Sequence, residues 1–468
     1  MENTNKNLSI LLGSAASRDV FWNPKDQRAV NPHFLVVGTS GSGKTETIKA
    51  IALELSRRNI PILVLDFHED FLEFGKNLID LNQNGFNPLQ ITGGKTPQEF
   101  SYQISDIITK VYDLGEIQKS ILREAIQEAY RRKKFEITNK ATYELDYPTL
   151  PEVGKIINEI TVLGGPKARI SEQLRMRCSD LFDLKVFKTG IIDIPFEKIM
   201  SGQTVLSLKN LPTETVKIAV SEFFLNKLFY ELYAQGKSSE LRGYIFLDEA
   251  HRVTYEGSPV DMFLRESRKY GWGVVLSSQR PSDFSDTTLA NVGACLVLRC
   301  VLEKDAKFMS KHVMVDWIKI KNLNKPGEGY FHTGGEQPIM VNIKQMGERV
   351  TDKESVEFNQ NIEKRRNEII KEYIEVYEKA KYWKNISEGL EKKVKGLEKQ
   401  YQDKIEELFL IKHNQKSKEK NIKMNEIGKG YAKKEKKMLS KARICNYGHT
   451  NEKNSKFCVM CGEKLRKD

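Results

Sequence analysis

Apolar residues in the first 300 positions gather into short runs that stop at glycine or an acid, with longer polar stretches between them. Residues 33–38 (HFLVVG) and 61–66 (PILVLD) read as buried strands, because a strand covered on both faces shows a continuous apolar run instead of alternation. A helical pattern over 44–58 joins them. From about 68 to 193 the apolar positions take i, i+3, i+4 spacing, around 100–132, 150–160 and 170–184, which predicts a mostly helical insertion. Alternation then resumes, with strands at 204–208, 244–247, 273–277 and 295–298 and helices at 213–234 and 260–270. Repeated strand, helix, strand units predict an α/β fold: a parallel sheet with helices on both faces.

Past residue 351 glycine and proline thin out and charge rises. Ile362, Ile369, Val376, Trp383, Leu390 and Leu397 recur every seven positions, with Tyr373, Ala380, Val394, Tyr401 and Leu408 at the companion spacing. That repeat predicts a coiled coil or long helical hairpin, weakened by Arg366, Ser387, Gly389 and Gly396. The lysine-rich stretch 412–437 reads as a solvated helix or linker.

Composition narrows the class. The chain has 468 residues with a net charge of +12, and 39% of its residues are hydrophobic. The longest uncharged apolar runs, such as 293–298, fall far short of the roughly 18 residues a bilayer span needs. The N-terminal LSILL run is too short and thinly flanked for an export signal, and Cys178, Cys295 and Cys300 sit in apolar or helical patterns that suit reduced thiols. These features predict a cytoplasmic protein with no membrane partner. The charge is unevenly spread: residues 411–468 hold 17 basic and 6 acidic side chains, whereas 1–410 hold 58 and 57. Electrostatic attraction for nucleic acid is therefore expected of the tail before the body.

Gly38, Thr39, Ser40, Gly41, Ser42, Gly43, Lys44 and Thr45 fit GxxxxGK followed by Ser or Thr, after a strand and opening a helix. The glycines let backbone N–H groups turn toward phosphate oxygens, and the helix N-terminus adds partial positive charge. Lys44 is expected to reach the β- and γ-phosphates of ATP, and Thr45 to ligate Mg2+. The strand 244–247 ends in Asp248 and Glu249. Asp248 is expected in the Mg2+ shell and Glu249 as the general base that polarises water, which favours hydrolysis over nucleotide sensing.

Residues 248–251 (DEAH) also spell the box of a two-lobed helicase class. Here, however, Lys44 and Asp248 stand 204 positions apart and no second α/β core follows Ile343. Taken with LDEAHR at 247–252, RESRKYG at 265–271 and LSSQRPSD at 276–283, the phosphate loop resembles that of the HerA/FtsK superfamily of ring-forming motor ATPases, the HerA-like branch above all. The resemblance covers about 31–344. It implies a RecA-like core, Gln279 as a γ-phosphate sensor, and Arg268 as an arginine reaching the neighbouring subunit's nucleotide, with Arg265 in reserve. It further implies a homo-oligomer, expected to be a hexamer, moving on DNA with a nuclease or other effector in DNA processing or defence against foreign DNA. Two departures stand out: only about 30 residues precede the first core strand, too few for the small β-barrel common in that family, and 66–70 (DFHED) lacks the proline and glycine often found there.

Near the end, Cys445, His449, Cys458 and Cys461 give C-x3-H-x8-C-x2-C, a tetrahedral Zn2+ pattern that resembles a short zinc ribbon. So small and polar an element needs a structural metal to fold. The domain plan is an N-terminal segment 1–30, an ATPase core 31–345 with an insertion at about 70–195, a charged helical or coiled-coil region 351–440, and a zinc-ribbon-like element 441–468. The alternative functions are a nucleotide-gated assembly ATPase recruiting a partner through its tail, and a protein or conjugative-transport ATPase.

Overall fold

The computed structural model describes residues 8–26, 31–81, 87–144, 146–187, 199–416, 442–444 and 450–452. The chain divides into two units, Met1–Glu363 and Lys364–Asp468. The first is built on an eleven-stranded sheet. Its strands in chain order are β1 (Ile10–Ala15), β2 (Arg18–Trp22), β3 (Phe34–Val37), β4 (Ile62–Asp66), β5 (Asn77–Asp80), β6 (Gln203–Ser207), β7 (Gly243–Leu247), β8 (Trp272–Ser278), β9 (Ala294–Leu298), β10 (Glu328–Thr333) and β11 (Ile339–Ile343). Across the sheet they run β2-β1-β11-β10-β9-β3-β8-β7-β4-β6-β5.

From β9 to β5 every pairing is parallel, as the apolar runs predict. Alternate residues of these strands serve two cores. Leu35, Leu63, Ile245 and Leu276 face one core, while Phe34, Val64, Phe246 and Val275 face the other. The other edge departs from the expected all-parallel sheet, because β10, β11, β1 and β2 add on in antiparallel order. The segment ahead of β3 is thus a hairpin joined to the main sheet through β11.

Helix α1 (Lys44–Arg57) covers the second core through Ile48, Ile51, Ala52 and Leu55. The insertion supplies α2 (Pro97–Tyr112), α3 (Glu116–Arg132), α4 (Leu150–Leu163) and α5 (Ala168–Arg177). Two of their starts are written locally. Thr96 and Glu99 close a capping box around Pro97, as do Thr149 and Glu152 around Leu150 and Pro151. The apolar faces of α2 to α4 (Phe100, Ile104, Leu122, Ile126, Val153, Ile157) share the first core with the sheet, so the insertion is packed onto that face of the sheet. Helices α6 (Glu214–Gln235), α7 (Pro259–Glu266) and α8 (Glu303–Val313) complete that layer.

The last helix, α9 (Asp352–Lys416), passes through Gly389 and Gly396 without interruption, so the expected hairpin is one continuous helix. Its root lies in the first unit. Glu354 receives a bidentate bond from Arg57 at 2.8 Å, Phe358 packs on Phe74 with ring centroids 5.4 Å apart, and Asn361 donates to the Glu73 carbonyl at 2.8 Å. In the second unit, Ile369, Val376, Trp383, Leu390 and Leu397 are exposed, so the seven-residue stripe is uncovered among the described residues. Two short strands, β12 (Ala442–Ile444) and β13 (Thr450–Glu452), pair antiparallel. Among the described residues no helix is long and apolar enough to cross a membrane.

Candidate nucleotide site

The loop 38–45 leaves the carboxyl end of β3 and is hung from the strands on either side. Gly38 N–H donates to the Ser278 carbonyl at 3.2 Å, and Thr39 N–H to the Arg299 carbonyl at 2.8 Å. The Gly327 N–H braces the loop from below, 2.9 Å from the Ser42 carbonyl. Gly43, at φ 99°, is the position where glycine is required: a Cβ there would be conformationally strained and would sit 3.0 Å from Gly327 N. Helix α1 begins at Lys44 with no side-chain cap, which leaves its first-turn amides for an anion.

Asp248 and Glu249 follow β7 at the same sheet edge, two strands away from β3, with β8 between. Thr45 Oγ1 donates to Asp248 Oδ2 at 3.0 Å, so the two motifs separated by 204 positions meet at one point. Asp248 Oδ1 is held separately, by the Glu249 N–H at 2.9 Å and by Ser277 Oγ from β8. One carboxylate oxygen is thereby fixed and the other aimed at Thr45. The 3.0 Å between Thr45 Oγ1 and Asp248 Oδ2 fits Mg2+, since adjacent ligands of an octahedron at ~2.0–2.1 Å stand about 2.9 Å apart.

Lys44 is 5% exposed and its Nζ donates to the Thr39 carbonyl at 3.1 Å. Burial lowers its pKa, an effect that Glu249 and Asp248 oppose by favouring the ammonium. A cation already poor in water gains most from an arriving polyanion. Glu249 sits in the left-handed region, φ 54° and ψ 40°, and its Oε1 accepts from Gln279 Nε2. Thus Lys44, Thr45, Asp248, Glu249 and Gln279 converge, as their sequence motifs predict. Ser277 is a participant that sequence did not single out, because its role depends on the register that sets β8 between β3 and β7.

Arg268 is elsewhere. It lies in the turn Ser267–Tyr270 just before β8, whereas Gln279 follows the last residue of that strand. Seven strand residues at ~3.3 Å each put about 20 Å between them. There Arg268 lines a cavity of about 300 Å³ with Lys25, Asp26, Asn31 and Glu240. Arg265, the reserve choice, is committed to an ion pair with buried Asp261 at 2.8 Å. The proposed zinc ligands Cys445, His449, Cys458 and Cys461 lie outside the described residues.

A phosphate loop at the carboxyl edge of a helix-covered parallel sheet, opposite a strand-terminal Asp-Glu pair, places the chain in the P-loop class with a RecA-like core. Comparison with known proteins narrows this. Residues 25–228 match the family described as "Helicase HerA, central domain", a stretch that takes in the phosphate loop and ends before Asp248. The chain is 25% identical over 302 residues to the DNA double-strand break repair helicase HerA of Sulfurisphaera tokodaii, a match covering 60% of this chain and 57% of that protein. VirB4 of Thermoanaerobacter pseudethanolicus superposes with a TM-score of 0.59 at 17% identity, covering 76% of this chain and 99% of that one. The plasmid coupling protein TrwB in complex with ADP and Mg2+ gives a TM-score of 0.54 at 17% identity, with coverage of 67% and 85%. The HerA-like resemblance and the RecA-like fold are borne out. The chain spans a little over half the length of its curated relative.

Proposed function

We propose that this chain is an ATP-hydrolysing, ring-forming DNA motor, six-membered, that works with a nuclease or other effector in DNA processing or defence against foreign DNA. The observation that carries the reading is the meeting of Thr45, Asp248, Glu249 and Gln279 around buried Lys44. The loop amides and Lys44 would bind the phosphates, and Thr45 and Asp248 would hold Mg2+, which supplies charge neutralisation at the β- and γ-oxygens. Glu249 would orient the attacking water and take its proton. The relative's printed role in DNA repair and the Mg2+ and ADP of the TrwB complex support this reading.

The position of Arg268 favours assembly. An arginine a full strand away from its own phosphate loop serves nucleotide chemistry only across an interface, which a head-to-tail ring provides. The test is DNA-stimulated phosphate release by the full chain. Lys44→Ala and Glu249→Gln should each abolish it, and Arg268→Ala should abolish it while leaving ATP bound. A purified ring whose turnover ignores every nucleic acid would remove the motor reading. The uncovered stripe on α9 supports a second reading, in which nucleotide sets assembly and the tail recruits a partner. Deleting 351–468 separates the two: a motor keeps DNA-stimulated turnover, whereas an assembly ATPase loses its partner and little else.

A further inference from the structure

Glu249 is gripped from two sides. Its Oε1 accepts from Gln279 Nε2, and its Oε2 lies 3.4 Å from Nδ1 of His251. That imidazole nitrogen is buried and, although 3.4 Å from the carboxylate, makes no hydrogen bond of good geometry to it. The backbone fixes this approach. Glu249 at φ 54° turns the chain into the tight helix Ala250–Arg252, where Arg252 N–H donates to the Glu249 carbonyl at 3.0 Å and Val253 N–H to the Ala250 carbonyl at 3.1 Å. Thr254 Oγ1 adds a third tie, 2.7 Å from the Ala250 carbonyl. His251 is therefore delivered to Glu249 by a turn that cannot relax without moving the carboxylate too.

The imidazole is also kept neutral. Burial lowers its pKa most, and Arg252 and Arg280 add to that, against Glu249 and Asp283, which favour protonation. A neutral imidazole carrying its proton on Nδ1 can donate to a carboxylate without cancelling its charge. The Gln279 amide, by contrast, occupies the oxygen that a water would need. While Glu249 and Gln279 hold each other, neither does the work assigned to it above.

We propose that His251 is a positioning residue for Glu249, holding Oε2 while Oε1 exchanges the Gln279 amide for the attacking water. This rests on the hydrolytic reading of the site. A γ-phosphate offers the Gln279 amide a charged acceptor in place of the carboxylate, and Oε1 is released only when that phosphate is present. The water oxygen then bonds to the γ-phosphorus as the bond to the β,γ-bridging oxygen breaks. The electron pair leaves with ADP, and the water proton passes to Glu249 Oε1. Without His251 the freed carboxylate would turn about its terminal torsion, and a misplacement of ~1 Å is worth up to about 100-fold in rate.

The test is steady-state ATP hydrolysis by the full chain with saturating Mg2+ and DNA. His251→Phe, which keeps a planar ring without a donor, should lower kcat about 10- to 100-fold with KM for ATP within about twofold of the parent. His251→Asn, whose amide still donates, should recover most of the loss. Gln279→Ala serves as the contrast, since it removes a phosphate contact and should move KM as well as kcat. Thermal unfolding of each variant reports folding independently, and if His251→Phe is destabilised the comparison of His251→Asn with His251→Ala carries the test. A parental kcat in His251→Phe, or a loss that Asn does not recover in a folded variant, would overturn the assignment. Absence of turnover in the parent itself would overturn the hydrolytic reading, and this proposal with it.

Discussion

Arg349 joins three parts of the first unit that are remote in sequence, and removing it gives a measurable cost. Its side chain is 2% exposed. Nε donates to the Lys344 carbonyl at 2.7 Å, and Nη1 and Nη2 donate to the Leu11 and Leu12 carbonyls at 2.6 Å each. Nη1 also lies 3.7 Å from Glu54 at the far end of α1, and burial lowers the pKa of the guanidinium against the pull of Glu54. Arg349→Met keeps most of the volume and removes every donor. Leu12 retains the Lys344 N–H at 3.1 Å, and Glu54 retains Arg57 and Arg58 at 3.2 and 2.7 Å, so no charge is left unpaired. Three donors are lost, to the part-buried Lys344 and Leu11 carbonyls and to the buried Leu12 carbonyl, at about 0.5–1.5 kcal/mol per bond, so the expected loss is about 1.5–4.5 kcal/mol. The assay is urea unfolding followed by tryptophan fluorescence, with Trp22 and Trp272 both buried in this unit. The midpoint should fall with the slope unchanged. A variant within about 0.5 kcal/mol of the parent would refute the claim that these bonds hold the N-terminal hairpin to the phosphate-loop helix.

Three further outcomes are expected. Ser277→Ala frees Asp248 Oδ1 from one of its two restraints, and should raise the Mg2+ concentration for half-maximal turnover about tenfold, read by metal titration at saturating ATP. Glu222, buried in α6, has its pKa pushed up to about 8 by burial, although the Tyr255 hydroxyl donates to it at 3.1 Å. The folded chain then holds a proton that the unfolded chain has released between its ordinary value of 4.5 and about 8, so stability should fall as pH rises through that window. Glu222→Gln should flatten the dependence of the thermal midpoint on pH and raise it at pH 8; an unchanged slope would show Glu222 to be ionised in the fold. The full chain should carry one Zn2+ per chain by elemental analysis, and Cys458→Ser with Cys461→Ser should lose it without changing ATP turnover.

The legible part of the fold was the part buried on both faces. β3, β4, β6, β7, β8 and β9 announce themselves as unbroken apolar runs. The antiparallel edge does not, because β2 and β11 alternate exposed and buried positions over only five residues, and β10 is half open along its length. Such strands are defined by the neighbour they pair with, and β1 finds its neighbour more than 300 positions away. The site divides the same way. Lys44, Thr45, Asp248 and Glu249 are legible because loop and strand-end chemistry is local, whereas Ser277 and His251 acquire meaning only from register and from a left-handed residue beside them.

The two ends of β8 carry a consequence for genetics. In the head-to-tail ring proposed above, a chain bearing its phosphate loop at one edge of the sheet and Arg268 at the other would contribute half of each of two different sites. Lys44→Ala and Arg268→Ala are then lesions in opposite halves, each inactive alone yet each still carrying the half that the other lacks. Mixed in equal amounts and assembled at random, the two inactive proteins should restore intact sites at about one interface in four. A protein that kept both groups in one chain's own pocket would restore none.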